Sequence, residues 1–290
     1  MASCNSVENT DFRQLSDLIQ AESENYGKPA WVLGSAKSVK SVRKFKNSGI
    51  NIGIGDMPWR SPNLVSYDYW LTANSIYPIP WHSKHFKHLV NSKTKILISS
   101  VAAESRGFDL NRARKSLLAL QSRVNLTVYD VRHFGGKNCE PFRNCCSFSR
   151  EFIRGSSIQE FINDSKEQLE PLYSTGSTVA LHGYALAVLF RCNPIYLCGI
   201  ELPLSQKDYT YHKSWKMPQE KLRDKVNRLK HTTFVKKKNL ASPFGGETHS
   251  QIIADFWAIA QFAKELNIST FVTSRTSALN NVEGISYKEH

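Results

Sequence analysis

No stretch of this sequence is apolar for the roughly 20 residues that a helix needs to cross a lipid bilayer. The segment Met1 to Ala21 is polar and charged, and it lacks the apolar centre of a secretory signal peptide. These two absences lead us to expect a cytoplasmic protein. Acidic residues are also scarce, with 25 Asp and Glu against 38 Lys and Arg and a formal net charge of +13. This excess favours an anionic partner, such as a nucleotide, an acidic glycan, the inner face of a membrane or nucleic acid.

The cysteines do not form a pattern that indicates disulfides or zinc. There are six, and they lack the spacing of a secreted disulfide framework. His133, Cys139, Cys145 and Cys146 lie near one another in a loop predicted over 133–150, but they lack the paired C-x₂₋₄-C spacing of zinc sites. No metal site is therefore predicted, and the role of this loop stays open.

Several nucleotide-binding motifs are missing. Gly34-Ser-Ala-Lys-Ser38 follows an apolar run but does not end in the G-K-[ST] of a Walker A loop, and the pair Gly53 and Gly55 does not complete G-x-G-x-x-G. There is no internal repeat, no G-x-S-x-G elbow, and no helix-turn-helix, zinc-finger or RNP pattern. Nucleic acid is therefore only a minor alternative among the anionic partners.

Short apolar runs that alternate with helical patterns are present throughout. The apolar runs predict strands over 30–33, 51–56, 69–72, 95–99, 126–130, 195–198 and, as the last one, 269–273. Helical patterns fall at 10–23, 39–45, 82–91, 110–122, 156–169, 179–190 and from about 250, whereas 57–59 is expected to be a loop. This alternation predicts an α/β, Rossmann-like fold whose mostly parallel sheet carries helices on both faces.

The same pattern suggests a division of the 290 residues. Residues 1–29 hold an N-terminal helix, and 30–202 with 247–275 form the Rossmann-like domain. The polar, aromatic and basic segment 203–246 is interpreted as a small lid subdomain over the strand ends, and 276–290 as a C-terminal tail.

We expect the stretch 173–203 to be the centre of the molecule. Hydroxyl residues stand where its helix begins, and any of the first three can cap it: Ser174, Thr175, Ser177 and Thr178. Gly176 allows close approach of a ligand, and the apolar helix Val179–Phe190 must be buried. The following strand leads to Glu201. Helix starts favour anions, and ligands bind at the carboxyl ends of strands in such sheets. An ordinary core helix–strand pair is the alternative.

His249 falls in the first turn of a helix predicted to pack on the sheet. A helix N-terminus lowers the pKa of a histidine placed there, which favours the neutral imidazole that a general base requires. A structural or capping role is the commoner fate of a single histidine.

At several points the sequence resembles the bacterial CMP-sialic-acid-dependent sialyltransferases of glycosyltransferase family 42. The turn Gly34–Ser38 resembles the family's Gly-Asn-Gly-Pro-Ser turn, and Ser174–Thr178 its Thr-Ser-Gly turn. Pro194–Glu201 is similar to a strand of the family that ends in Gly-Ile-Asp, and His249-Ser250 corresponds to its catalytic His-Ser. The similar segments follow the family's order over about residues 30–275.

This resemblance implies an inverting, metal-independent and cofactor-free glycosyltransferase that moves a sialic-acid-like sugar from a CMP-activated donor to a hydroxyl of a glycan. His249 is implied as the general base, and Tyr209 as the hydrogen-bond donor to the leaving phosphate. The residues implied to bind the nucleotide and the donor sugar are Gly34, Ser35, Ser38, Asp56, Asn74, Thr175, Gly176, Ser177 and Glu201. The exact donor sugar, the acceptor, the linkage and any homo-oligomer stay open.

The sequence also resembles a related Rossmann-like group that includes hydroxymethyl-dihydropterin diphosphokinase and the motility-associated flagellin glycosyltransferases. The shared features are the Gly-Ser-rich turn at Gly176, its helix, and Asn193-Pro followed by Gly199-Ile-Glu-Leu202. This group implies an alternative, diphosphate transfer to a pterin-like alcohol, which would require Mg²⁺ at Asp56 or Glu201. A non-catalytic nucleotide- or nucleic-acid-binding protein is the third alternative.

Overall fold

A computed structural model of the protein describes residues 15–44, 49–55, 57–72, 93–99, 124–129, 131–133, 172–174, 178–201 and 246–289. The strands in these ranges are β1 (Ala30–Leu33), β2 (Ile50–Ile54), β3 (Tyr69–Thr72), β4 (Lys95–Ser99), β5 (Leu126–Tyr129), β6 (Val131–His133), β7 (Leu172–Ser174), β8 (Ile195–Cys198), β9 (Thr270–Val272) and β10 (Ile285–Tyr287). The α-helices are α1 (Leu15–Ala21), α2 (Met57–Arg60), α3 (Val179–Leu189) and α4 (Gly246–Glu265). The 3₁₀ helices are Ser23–Asn25, Lys37–Lys44 and Ala278–Asn281.

Eight of the strands form one sheet in the order β10-β9-β8-β1-β2-β3-β4-β5. Every neighbouring pair in it is parallel. In the centre, Ala30 of β1 aligns with Ile50 of β2 on one side and with Ile195 of β8 on the other. The strands β6 and β7 form a separate parallel pair. The predicted α/β, Rossmann-like architecture is confirmed.

The larger core lies on the face of the sheet that carries α1, α3 and α4. Helix α3 is apolar on all sides because it packs on the central strands below and against α4 beside it. Gly183 permits this contact, since a Cβ there would come within 2.8 Å of methyl carbons of both Val32 and Ile54. Tyr184 stacks on Phe256 of α4, with ring centroids 5.9 Å apart. The buried helix predicted for this part of the chain is confirmed.

The opposite face is covered beside β1 by the 3₁₀ helix Lys37–Lys44, where the sequence analysis predicted a helix without specifying its type. The segment repeats Lys-Ser-Val twice. In a 3₁₀ helix the residues i and i+3 lie in one row. Val39 and Val42 therefore share a row that is buried against the sheet, while Lys40 and Arg43 share a row that faces water. The three-residue repeat therefore matches the period of a 3₁₀ helix.

Two segments differ from their predicted structure. The sheet continues past 269–273, because β10 adds a further parallel strand within the segment interpreted as a tail. With only three residues, β10 is too short to show strand periodicity. Residues Met57–Arg60 form the short helix α2 instead of a loop. Pro58 stands in its first turn, where proline is compatible with a helix.

Other predictions fall on parts of the chain outside the described residues. These are the helices predicted over 82–91, 110–122 and 156–169, and the lid apart from its last residue, Gly246. Of the loop predicted over 133–150, the structure describes only His133, which ends β6.

A polar network attaches the N-terminal segment to the sheet at the amino ends of β3 and β4. Glu22 is only 6% exposed and pairs with the ammonium group of Lys95. The hydroxyl of Tyr69 donates to Glu22 Oε2 at 2.6 Å, and Asn25 Nδ2 donates to the same hydroxyl at 2.8 Å. Burial, together with the hydrogen bond to Glu22, raises the pKa of Tyr69 above its usual value. The network holds the segment after α1 against the amino edge of the sheet, opposite to the edge where the strands have their carboxyl ends.

We expect Glu22→Ala to lower the free energy of unfolding by about 2 kcal/mol, because it leaves the Tyr69 hydroxyl and the Lys95 ammonium group without their acceptor. The matched control is Glu283→Ala, which removes an ion pair with Lys264 whose side chains are 63% and 65% exposed. Exposed pairs of this kind contribute about 0–1 kcal/mol. Urea denaturation of both variants measures the difference, and equal losses would contradict a specific role for the network.

Candidate functional site

The sheet reverses its strand order between β1 and β8, and this reversal defines the candidate site. From β1 the chain proceeds to β2 on one side, whereas β8 on the other side is followed by β9 and β10. The connections that follow β1 and β8 therefore begin side by side at the carboxyl edge and lead toward opposite ends of the sheet. In open α/β folds the ligand binds at this switch point. The structure places Gly34, Ser35 and Ser38 on one side of it and Glu201 on the other.

The two loops are in direct contact at Gly34 and Gly199. A Cβ at Gly34 would lie 2.4 Å from the carbonyl oxygen of Gly199, and a Cβ at Gly199 would lie 2.5 Å from that of Gly34. Gly34 N–H donates to the Cys198 carbonyl at 2.8 Å, and Ala36 N–H donates to the Gly199 carbonyl at 3.1 Å. Gly199 also has φ +69, a value that favours glycine. The chain can bring the two loops this close only because neither residue has a side chain.

Ser38 and Glu201 join the loops a second time. Ser38 N–H donates to Glu201 Oε1 at 2.8 Å, and Gly199 N–H donates to Ser38 Oγ at 2.9 Å. The family resemblance implied that Gly34, Ser35 and Ser38 of this turn bind the nucleotide and the donor sugar. In the structure, the N–H groups of Gly34, Ala36 and Ser38 donate hydrogen bonds within the protein. A ligand can therefore contact this turn through side-chain atoms or the remaining N–H groups of the turn.

The exit of β8 is held from its other side by the segment that follows β9. Ser277 Oγ donates to the Ile200 carbonyl at 3.2 Å, and Ala278 N–H donates to the Glu201 carbonyl at 3.1 Å. Sequence reasoning missed these residues because they lie in the part interpreted as a tail. Their contacts fix Glu201 between two neighbouring loops.

Helix α3 begins at the same edge of the sheet. Its N-cap is Thr178, whose Oγ1 accepts the N–H of Ala180 at 3.3 Å. The prediction that one of the three preceding hydroxyl residues caps the helix is wrong, since Ser174 belongs to β7 and Thr178 adopts the extended backbone of a cap. Val179 lies beside the end of β2, 3.6 Å from the place of a Cβ on Gly55.

Removal of this cap gives a modest, specific effect. We expect Thr178→Ala to lower the free energy of unfolding by about 1 kcal/mol and Thr178→Ser to have little effect, because serine retains the accepting oxygen. Thermal or urea unfolding of the two variants measures this change in the free energy of unfolding. A serine variant as unstable as the alanine variant would show that the methyl group, and not the cap, is important.

Helix α4 brings His249 to the carboxyl edge. The helix runs from Gly246 to Glu265 and leads into β9, so its N-terminus lies at the ligand edge of the sheet. Phe256 anchors it on α3. His249 stands seven residues earlier, hence about 10 Å nearer the edge along the helix axis. The predicted position of His249 in the first turn is confirmed, and its catalytic role stays a prediction.

A buried tyrosine–histidine pair lies close to this edge and was missed by sequence reasoning. Tyr129 Oη lies 2.9 Å from His182 Nδ1, and the two rings meet edge to face. Burial raises the pKa of Tyr129. Both side chains are buried, with exposures of 1% and 2%. The pair links the end of β5 to the first turn of α3.

Several predicted site residues lie outside the described residues, namely Asp56, Asn74, Thr175, Gly176, Ser177 and Tyr209. Within the described ranges there is no group of three or more His, Cys, Asp and Glu side chains that could hold a metal ion. In the same part of the chain, no helix is both long enough and apolar enough to cross a membrane.

Neither a protein-family model nor a curated protein matches the sequence. Among solved structures, the chain is similar to the sialyltransferase CstII from Campylobacter jejuni in complex with a substrate analogue, cytidine-5'-monophosphate. The identity is 14%, the match covers 90% of this chain and 86% of that chain, and the TM-score is 0.45.

Two further structures are similar to the chain. CstII in complex with CMP-3FNeuAc matches with 12% identity, 90% and 85% coverage and a TM-score of 0.42. The MAf glycosyltransferase from Magnetospirillum magneticum AMB-1 matches with 13% identity over 96% of this chain and 39% of that chain, with a TM-score of 0.41. CstII and MAf belong to the two groups that the sequence resembles, and at these identities the similarity concerns the fold.

Proposed function

We propose that the protein is a glycosyltransferase that moves a sialic-acid-like sugar from a CMP-activated donor to a hydroxyl group of a glycan. The observation that carries the proposal is the contact between the turn Gly34–Ser38 and Glu201 at the switch point, on the edge of the sheet where α4 begins. A parallel sheet that binds a nucleotide does so at this switch point. A histidine at the same edge provides a group that can accept a proton there.

In the proposed reaction, an oxygen of the acceptor hydroxyl attacks the anomeric carbon of the donor sugar. The bond from this carbon to the phosphate oxygen breaks, and CMP leaves with the bonding electrons. His249 takes the proton of the attacking hydroxyl, and Tyr209 donates a hydrogen bond to the leaving phosphate. Attack from the side opposite to CMP gives inversion at the anomeric carbon.

The donor is anionic at both its phosphate and its sugar carboxylate, which agrees with the charge of the chain. The formal net charge is +13, and the segment 203–246 is rich in lysine and arginine and poor in acidic residues. We propose that this segment attracts the donor and covers it when it is bound. Contact of the basic surface with the inner face of a membrane, a cytoplasmic location and a homo-oligomer stay predictions.

The proposed transferase differs from the alternative diphosphokinase in its need for metal. Incubation with CMP-sialic acid and a glycan acceptor, with and without EDTA, tests the proposal. Transfer that is equally fast with EDTA supports the metal-independent transferase. Turnover of ATP with a pterin-like alcohol that stops with EDTA would instead establish the kinase, with Mg²⁺ at Asp56 or Glu201.

A further inference from the structure

Glu201 is a buried carboxylate at the switch point. The residue is only 7% exposed, and Glu201 takes part in none of the ion pairs between described residues. One oxygen, Oε1, accepts the N–H of Ser38. A carboxylate offers about four acceptor positions, and a buried charge is costly unless hydrogen-bond donors surround it. Glu201 therefore has capacity for further donors at this edge.

The position of this carboxylate determines which part of a ligand it can meet. It lies at the N-terminus of the 3₁₀ helix Lys37–Lys44, the place where the N–H groups of such a turn would otherwise attract an anion. A phosphate next to Glu201 would be repelled by the like charge. A hydroxyl group, in contrast, donates to a carboxylate in a short and strong hydrogen bond.

We propose that Glu201 selects the ligand by its hydroxyl groups, with Oε2 accepting from the vicinal hydroxyls of a ribose. This inference rests on the proposed function, in which a ribonucleotide occupies the carboxyl edge. The inference places the ribose where the loops after β1 and β8 contact each other, and it places the phosphate elsewhere. Glu201 is then the residue that distinguishes a ribonucleotide from a nucleotide without ribose hydroxyls.

A purely structural role for Glu201 makes a different prediction. If the carboxylate only accepts from Ser38, then Glu201→Gln should be silent, because the amide oxygen of glutamine can accept the same N–H. If it also binds the ribose, glutamine loses the negative charge that strengthens the bonds to the hydroxyls. The glutamine variant therefore separates the two roles.

The test is calorimetric titration with CMP and with 2',3'-dideoxy-CMP of the wild type, Glu201→Gln and the control Glu22→Gln. We expect the wild type to bind CMP about tenfold or more tightly than the dideoxy analogue, as for hydrogen bonds to a charged group. In Glu201→Gln this ratio should fall close to one, with the affinity for the dideoxy analogue unchanged. Glu22→Gln makes the same change in a buried glutamate at the amino ends of β3 and β4 and leaves Glu201 intact, so its ratio should stay close to that of the wild type.

Four results would overturn the inference. A wild type that binds both nucleotides equally well has no acceptor for the hydroxyls, whatever the variants do. A Glu201→Gln variant that keeps the wild-type ratio reduces Glu201 to a structural acceptor, and one that binds both nucleotides more tightly places the phosphate beside the carboxylate. A folded wild type that binds neither nucleotide refutes the proposed function along with this inference, which distinguishes the two failures.

Discussion

Replacement of His249 by alanine is expected to slow sugar transfer by about 10²–10⁴-fold, the usual contribution of a general base. The affinity for CMP should stay close to that of the wild type, because the proposed partner of His249 is the acceptor hydroxyl and not the nucleotide. Initial rates of CMP release from CMP-sialic acid in the presence of acceptor, together with titration of CMP, measure both quantities.

The control is Thr248→Ala, in the same turn of α4, which removes no group that titrates near neutral pH. It should retain most of the activity. Transfer by His249→Ala at near the wild-type rate would exclude His249 as the base. A parallel loss of CMP affinity would instead indicate that the first turn of α4 contributes to nucleotide binding.

Gly199→Ala is expected to lower the free energy of unfolding by about 2–5 kcal/mol and to abolish nucleotide binding. Part of the loss, about 1–2 kcal/mol, comes from placing a Cβ on a residue with left-handed backbone. A further loss of about 1–3 kcal/mol comes from crowding in a packed region. Here the crowding is with the Gly34 carbonyl oxygen at 2.5 Å and with the Cβ of Val39 at 2.8 Å.

Gly27 supplies a matched control for the backbone effect alone. Its φ is +76, close to the +69 of Gly199, but no atom lies within 4 Å of the place of its Cβ. Gly27→Ala should therefore cost only about 1–2 kcal/mol and leave CMP binding intact. Urea denaturation gives both free energies, and equal losses in the two variants would show that the contact between the loops is not tight.

The central part of the fold could be predicted from the sequence because each strand there is a short apolar run. Both β1 and β8 begin and end where predicted, since they are buried on both faces and bounded by Gly or Pro. Helix α3 was recognisable because it is apolar on all sides. The strand β10 was not, because its three residues depend on pairing with β9 and carry no pattern of their own.

The candidate site was only partly predictable, because its decisive contacts join residues far apart in the chain. Gly34 and Glu201 could be identified as residues that follow strands, but not as parts of two loops that contact each other. The bond between Ser38 and Glu201 spans 163 positions, and it exists because β1 and β8 are neighbours in the sheet. Which strands are neighbours depends on the topology of the sheet, and no local sequence pattern encodes it.

The cap of α3 shows a different limit of sequence reasoning. Four hydroxyl residues precede the helix in the stretch 174–178, and each has the chemistry of a cap. Only the backbone decides among them, and Thr178 has the extended conformation that places its oxygen over the first turn. Composition therefore predicts that the helix is capped, but not by which residue.

The central claim is that a CMP-containing donor binds at the carboxyl edge, and thermal unfolding in the presence of ligands tests it most directly. The set comprises CMP, CMP-sialic acid, ATP and short oligonucleotides. A ligand present at about 100 times its Kd stabilises the native state by about 2.7 kcal/mol. We predict that CMP and CMP-sialic acid raise the melting temperature of the wild type and that Gly199→Ala abolishes this response. Stabilisation by oligonucleotides alone, without any response to CMP or CMP-sialic acid, would contradict the account.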